Sequence, residues 1–185
     1  MSIPMKYSII LLLLFCSVRA FAQVKLPTNE IGQVQYQELV KLPDNTRKAK
    51  QIIEQARLWA GHEYDSLSAE QQYDQVNNIL FIKSIYTIDN QTVRYTLTIE
   101  AKYGRYRATI TDLLTESNGL SLLVRPSSAT VEEMEQAAGN KVKDKEVIEQ
   151  TAKQQTELYQ QIDKACKATL ASLKTRMMAK IVKDE

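Results

Sequence analysis

Between residues 93 and 111 the chain alternates so regularly that few folds remain open to it. Val93, Tyr95, Leu97, Ile99 and Ala101 alternate with Arg94, Thr96, Thr98, Glu100 and Lys102. After Tyr103-Gly104 the pattern resumes, with Tyr106, Ala108 and Ile110 set against Arg105, Arg107, Thr109 and Thr111. A period of two is the period of a strand with one buried and one wet face. An even loop centred on Tyr103-Gly104 places Ala101 opposite Tyr106, Ile99 opposite Ala108 and Leu97 opposite Ile110. The same register sets Glu100 across from Arg107 and Thr98 across from Thr109. An odd loop would put apolar residues opposite polar ones on both faces, so the pattern selects its own register.

The remaining elements are read around this hairpin. Val34 to Gln37 alternates, and Leu39, Val40 and Leu42 continue with a change of phase, which predicts a first strand carrying a bulge and closed by Pro43. Asp44 and Asn45 are N-cap candidates for a helix over 44–60. Its apolar face is Ala49, Ile52, Ile53, Ala56, Trp59 and Ala60, and Gly61 ends it. Residues 62–78 show no clear period; Ser68 with Gln71 fits a capping pair and a helical turn. Ile79 to Ile88 is a strand rich in β-branched residues, and Leu120 to Val124 an edge strand. Thr130 with Glu133 forms a capping box. From Asp144 onward no Gly or Pro interrupts a stripe running from Ile148 through Tyr159, Ile162, Cys166, Leu170 and Leu173 to Met177 and Ile181. That stripe predicts a long amphipathic helix, suited to its own sheet or to a partner helix. The fold class expected is α+β, a curved antiparallel sheet of four or five strands with helices on one face.

Residues 1–22 read as a signal peptide. Lys6 precedes the apolar run Ile9–Val18, and Ala20-Phe21-Ala22 offers a small-x-small site with cleavage between Ala22 and Gln23. The run is too short to span a bilayer, so no transmembrane anchor is expected and the protein is exported, to the periplasm or beyond. Cys16 follows Phe15, where lipidation would want a small residue. Loss of Lys6 and Arg19 with this segment leaves 22 bases against 22 acids, a balance that disfavours nucleic acid as a partner. Residues 23–32 form a polar lead-in, expected to be poorly ordered at its start. Cys166 is then the single cysteine, so no internal disulfide can form.

Catalytic patterns are missing from the sequence. His62 is the one histidine, read as an exposed loop residue; no G-x-S-x-G, C-x-x-C, P-loop or dinucleotide pattern occurs. The expectation is no enzyme, no metal and no cofactor.

The hairpin residues Tyr103-Gly104-Arg105-Tyr106-Arg107 and Thr109-Ile110-Thr111-Asp112 resemble the DGRYR…T-x-T-[DN] hairpin of a family of secreted Bacteroidetes proteins, domain of unknown function 4468. Leu26-Pro27, Gly32 to Tyr36, Val40 to Pro43 and a helix with Trp59 near its end carry the same resemblance. It implies a TBP-like fold, over 23–125, with the helical extension 126–185 outside the resemblance. It implies no activity, since fold does not carry function.

The wet face of the hairpin is the candidate binding face: Arg94, Lys102, Arg105 and Arg107, with Tyr103 at the tip and Glu100 the one opposing acid. The leading functional expectation is a non-enzymatic envelope or periplasmic module that binds an envelope protein or anionic ligand. The alternatives are an assembly protein that forms a homodimer through helix 144–183, and a carboxylate-dependent hydrolase.

Overall fold

The computed structural model describes residues 23–64, 69–89, 91–117, 119–139 and 144–179. The expected signal peptide, with Ala22 and Cys16, lies outside them, as does Ile181. Six strands form one open antiparallel sheet: β1 (Tyr36–Lys41), β2 (Ala69–Asp74), β3 (Ile79–Ile88), β4 (Gln91–Lys102), β5 (Arg105–Ser117) and β6 (Leu120–Leu123). The order is β1-β5-β4-β3-β2, with β6 pairing the far half of β5. The sheet is thus one strand larger than the upper expectation.

The hairpin register is the one its alternation selects: Ala101 faces Tyr106, Ile99 Ala108, Leu97 Ile110, and Glu100 Arg107. The register shifts once, between Arg94 and Thr96, opposite Asp112, whose φ is +55°. The extra residue of β5 there interrupts the ladder, and beyond it Leu114–Ser117 pairs β6 as well as β4.

Helix α1 (Ala49–Glu63) buries Ile52, Ile53, Ala56, Trp59 and Ala60 against the face formed by Leu97, Ile99 and Ile110. Its N-cap is Lys48, whose N–H donates to the Gln51 side chain at 3.0 Å, because Asp44 spends its carboxylate on the Thr46 N–H and hydroxyl. Gly61 does not end the helix, which runs two residues further to a cap at Tyr64, and His62 is an exposed residue of its last turn. A short helix, α2 (Val131–Ala138), starts at the Thr130–Glu133 capping box. Helix α3 (Lys145–Met178) lies on the same face as α1. Tyr159, Ile162, Cys166, Leu170, Leu173 and Met177 join the core that α1 and the sheet form, so the stripe is covered by the protein's own sheet.

Three further expectations are corrected. β1 has no bulge: it pairs β5 without interruption, keeps period two and leaves Leu39 60% exposed. The helical turn expected near Ser68–Gln72 is replaced from Ala69 onward by β2, paired to β3 over its whole length. The lead-in is tied down: Gln23 Nε2 donates to the Ser128 carbonyl at 2.8 Å, Val24 N–H to Ser128 Oγ at 3.1 Å, and Leu26 N–H to the Pro126 carbonyl at 2.8 Å.

Polar groups join the layers. Trp59 Nε1 donates to Ser172 Oγ at 3.1 Å, and the Tyr95 hydroxyl to that of Tyr64 at 3.0 Å. From α1 and the loop before it, Gln55 Nε2 reaches the Arg176 carbonyl at 2.8 Å and Arg47 Nη1 the Met177 carbonyl at 3.2 Å. These two side chains cap the last turn of α3, whose carbonyls have no partners within the helix.

Candidate functional site

With both helices on one face, the other face of the sheet is left open. Outward residues on β1 are Gln37, Leu39 and Lys41; on β4 they run from Arg94 to Lys102, and on β5 Arg105, Arg107 and Thr109. The alternation that buries Tyr106 and Ala108 forces Arg105 and Arg107 outward.

The five residues of the expected face do not form one group. Arg94 lies beyond the bulge, far from the tip, where its Nε donates to Glu116 Oε1 at 2.5 Å. That hydrogen bond holds the Glu116 carboxyl below its ordinary range. Glu116 is a second acid on a face where only Glu100 was anticipated. Arg107 is paired with Glu100 at 2.5 Å. Lys102, Tyr103 and Arg105 remain together at the hairpin tip.

Sequence reasoning missed a sixth residue. Lys41 of β1 and Lys102 of β4 are both direct cross-strand partners of Arg105. The three side chains stand in one row across three strands, within about 10 Å at the usual strand spacing. Among the described residues none of the three is in an ion pair. Lys41 was hidden by the expected bulge, which spoiled the phase of the strand; simple alternation from Tyr36 would have pointed it outward. On one side of the row a cavity of about 270 Å³ opens beside Leu39 and Arg107. On the other, one of about 440 Å³ is bounded by Pro43, Asn45 and Tyr103.

The tip itself is held rigidly. Gly104 N–H donates to the Arg47 carbonyl and Leu42 N–H to the Gly104 carbonyl, both at 2.9 Å. A third concavity, about 660 Å³, lies at the bulge between Glu70, Lys83, Arg94 and Asp112, where charges of both signs meet.

Buried ionisable groups lie on the helix side. Burial pushes the Cys166 thiol up to about 12, and raises the hydroxyls of Tyr36, Tyr64, Tyr86 and Tyr106 above the ordinary tyrosine range. Among the described residues no group of three or more His, Cys, Asp or Glu is placed to hold a metal ion.

The arrangement defines a class: an α+β module whose helices cover one face of an antiparallel sheet and leave the other to solvent. No protein-family model matches the chain, and no curated protein matches it by sequence. Solved structures do. A DUF4468 family protein from Bacteroides ovatus is similar with a TM-score of 0.50 and 11% identity, over 85% of this chain and 93% of that one. A TBP-like protein from Parabacteroides distasonis is similar with a TM-score of 0.48 and 13% identity, over 80% of this chain and 96% of that one. The chain shares the fold of the Bacteroides ovatus protein.

Proposed function

We propose that the protein is an exported, non-enzymatic module of the cell envelope that binds an anionic partner on the tip half of its open sheet face. The observation that carries this reading is the row Lys41–Arg105–Lys102. Like charges directly opposite one another on a sheet are destabilising. Elsewhere on this face the chain answers its arginines with carboxylates, Glu116 for Arg94 and Glu100 for Arg107. An unanswered row is therefore a cost in the free protein that a bound anion removes. The assembly reading is weakened, since the stripe of α3 it would use is already covered.

Isothermal titration of the mature chain with inorganic polyphosphate at low salt tests the reading. The triple variant Lys41→Gln, Lys102→Gln, Arg105→Gln should lose binding and keep or raise its thermal midpoint. Binding by the parent protein should fall with salt, because charges on an open face are screened within about 8–10 Å. Equal binding by parent and variant would sink the idea. Mass spectrometry of the exported protein should find Gln23 at the N-terminus.

A further inference from the structure

The end of the sheet that carries the cationic row also displays two apolar side chains on rigid turns. Tyr103, at the tip of the β4–β5 hairpin, is 64% exposed, and Val76, in the turn joining β2 to β3, is 88% exposed. Neither turn is loose. Asp74 Oδ1 accepts the N–H groups of Val76 at 3.0 Å and Asn77 at 3.1 Å, and its Oδ2 accepts Asn77 Nδ2 at 2.7 Å. Ala101 N–H donates to the Asn78 carbonyl at 3.0 Å, which ties this turn to the strand that leads into Tyr103. Behind Tyr103, Gly104 is pinned against the 42–47 segment by its two 2.9 Å hydrogen bonds.

Most exposed hydrophobic side chains on a protein surface need no explanation. Here two are fixed at one end of one sheet, next to three cations free of ion pairs among the described residues. Of the acids at this end Glu100 is compensated by Arg107. Asp44 and Asp74 stay charged, held below the ordinary carboxylate range by hydrogen bonds within their own turns, so the three cations outnumber the two uncompensated acids. A soluble anion would use the cations and leave Tyr103 and Val76 unexplained. An anionic bilayer surface uses both, taking Lys and Arg at its headgroups and tyrosine and aliphatic side chains just beneath them.

Resting on the anion-binding reading above, we propose that this end of the sheet docks peripherally on an anionic lipid surface. Lys41, Lys102 and Arg105 lie against the headgroups, and Tyr103 and Val76 enter the interface. The contact is reversible and does not span: no helix among the described residues is long and apolar enough to cross a membrane.

Co-sedimentation of the mature chain with vesicles tests this. The protein should partition onto vesicles of phosphatidylcholine with phosphatidylglycerol, and not onto phosphatidylcholine alone. Each cation near such a surface strengthens binding about five-fold, so the triple glutamine variant should lose about a hundred-fold in partition. The double variant Tyr103→Ser, Val76→Ser should also lose partition. Val76→Ser alone, outside the row and its two cavities, should lose part of it while its binding of inorganic polyphosphate stays unchanged. Polyphosphate binding through the row without vesicle binding would overturn the lipid proposal and leave the anion reading standing. Vesicle binding indifferent to Tyr103→Ser, Val76→Ser would likewise overturn it. Failure of both probes would overturn both. A circular dichroism melt no lower than the parent's certifies that each exposed substitution leaves the fold intact.

Discussion

Replacing Gly104 by alanine isolates the contact that holds the hairpin tip in place. Gly104 has φ +69°, and a Cβ built on it would lie 2.6 Å from the Asn45 carbonyl oxygen, 2.9 Å from its Cα and 3.0 Å from its carbonyl carbon. All three are backbone atoms, so no side chain can swing aside. Two costs follow. The left-handed conformation disfavours alanine by about 1–2 kcal/mol, offset by about 0.4–1 kcal/mol because alanine narrows the unfolded ensemble. Moving the 42–47 segment away from its two hydrogen bonds resembles overpacking a core, at about 1–3 kcal/mol. Gly119 supplies the control: its φ is +79° and a Cβ there meets nothing within 4 Å. Gly119→Ala should lose about 1 kcal/mol or less, and Gly104→Ala about 2–4 kcal/mol, by urea unfolding monitored through Trp59 fluorescence. Equal losses at the two positions would refute the claim that backbone contact, beyond dihedral angle, fixes glycine at the tip.

Other substitutions probe the rest of the fold. Trp59→Ala should cost about 3–5 kcal/mol, since the ring is 3% exposed in the core, and a loss below about 1 kcal/mol would mean that α1 is not docked on the sheet. Asp112 adopts φ +55°, which Asp and Asn tolerate and β-branched residues do not. Asp112→Asn should therefore be nearly neutral and Asp112→Val lose about 1–3 kcal/mol, with a reversed order counting against the bulge. For pH, the Cys166 thiol is raised from 9.0 to about 12 in the folded protein, and five tyrosines, Tyr159 among them, are raised with it. Above about pH 9 the unfolded chain ionises where the folded one resists, so it binds fewer protons and stability falls with rising pH. Urea midpoints should hold steady up to about pH 8 and decline from pH 9 to 12, and Cys166→Ala should flatten the first part of that decline.

What the residues made legible depended on how two-sided each element is. The hairpin was readable because Val93 to Thr111 separates a dry face from a wet one, and only one register keeps them apart. The long helix was readable because its stripe is buried from Ile148 to Met177. β2 was not: Ala69–Asp74 is an edge strand of largely polar residues, and nothing in AEQQYD alternates. β1 was readable as a strand but misread in phase, because Leu39 is apolar and yet 60% exposed on the open face. That one error hid Lys41 from the candidate site. Arg94 was grouped with Arg105 and Arg107 because they share a face. Register placed them far apart, and the partner Glu116 sits beyond a bulge that only the structure displays.

The anchoring of the first residues has a bearing on timing. Gln23 and Val24 bond to Ser128, 104 to 105 residues later in the chain. At about 5–20 residues per second, synthesis needs roughly 5–20 s to deliver that partner once Gln23 has been made. Throughout that interval Gln23 and Val24 have no Ser128 to bond. Once Ser128 arrives, the same residues can be fastened beside a sheet whose six strands have been made, while α3 is still to come. The start of the described chain can therefore settle only late in synthesis, after every strand of the sheet has been made.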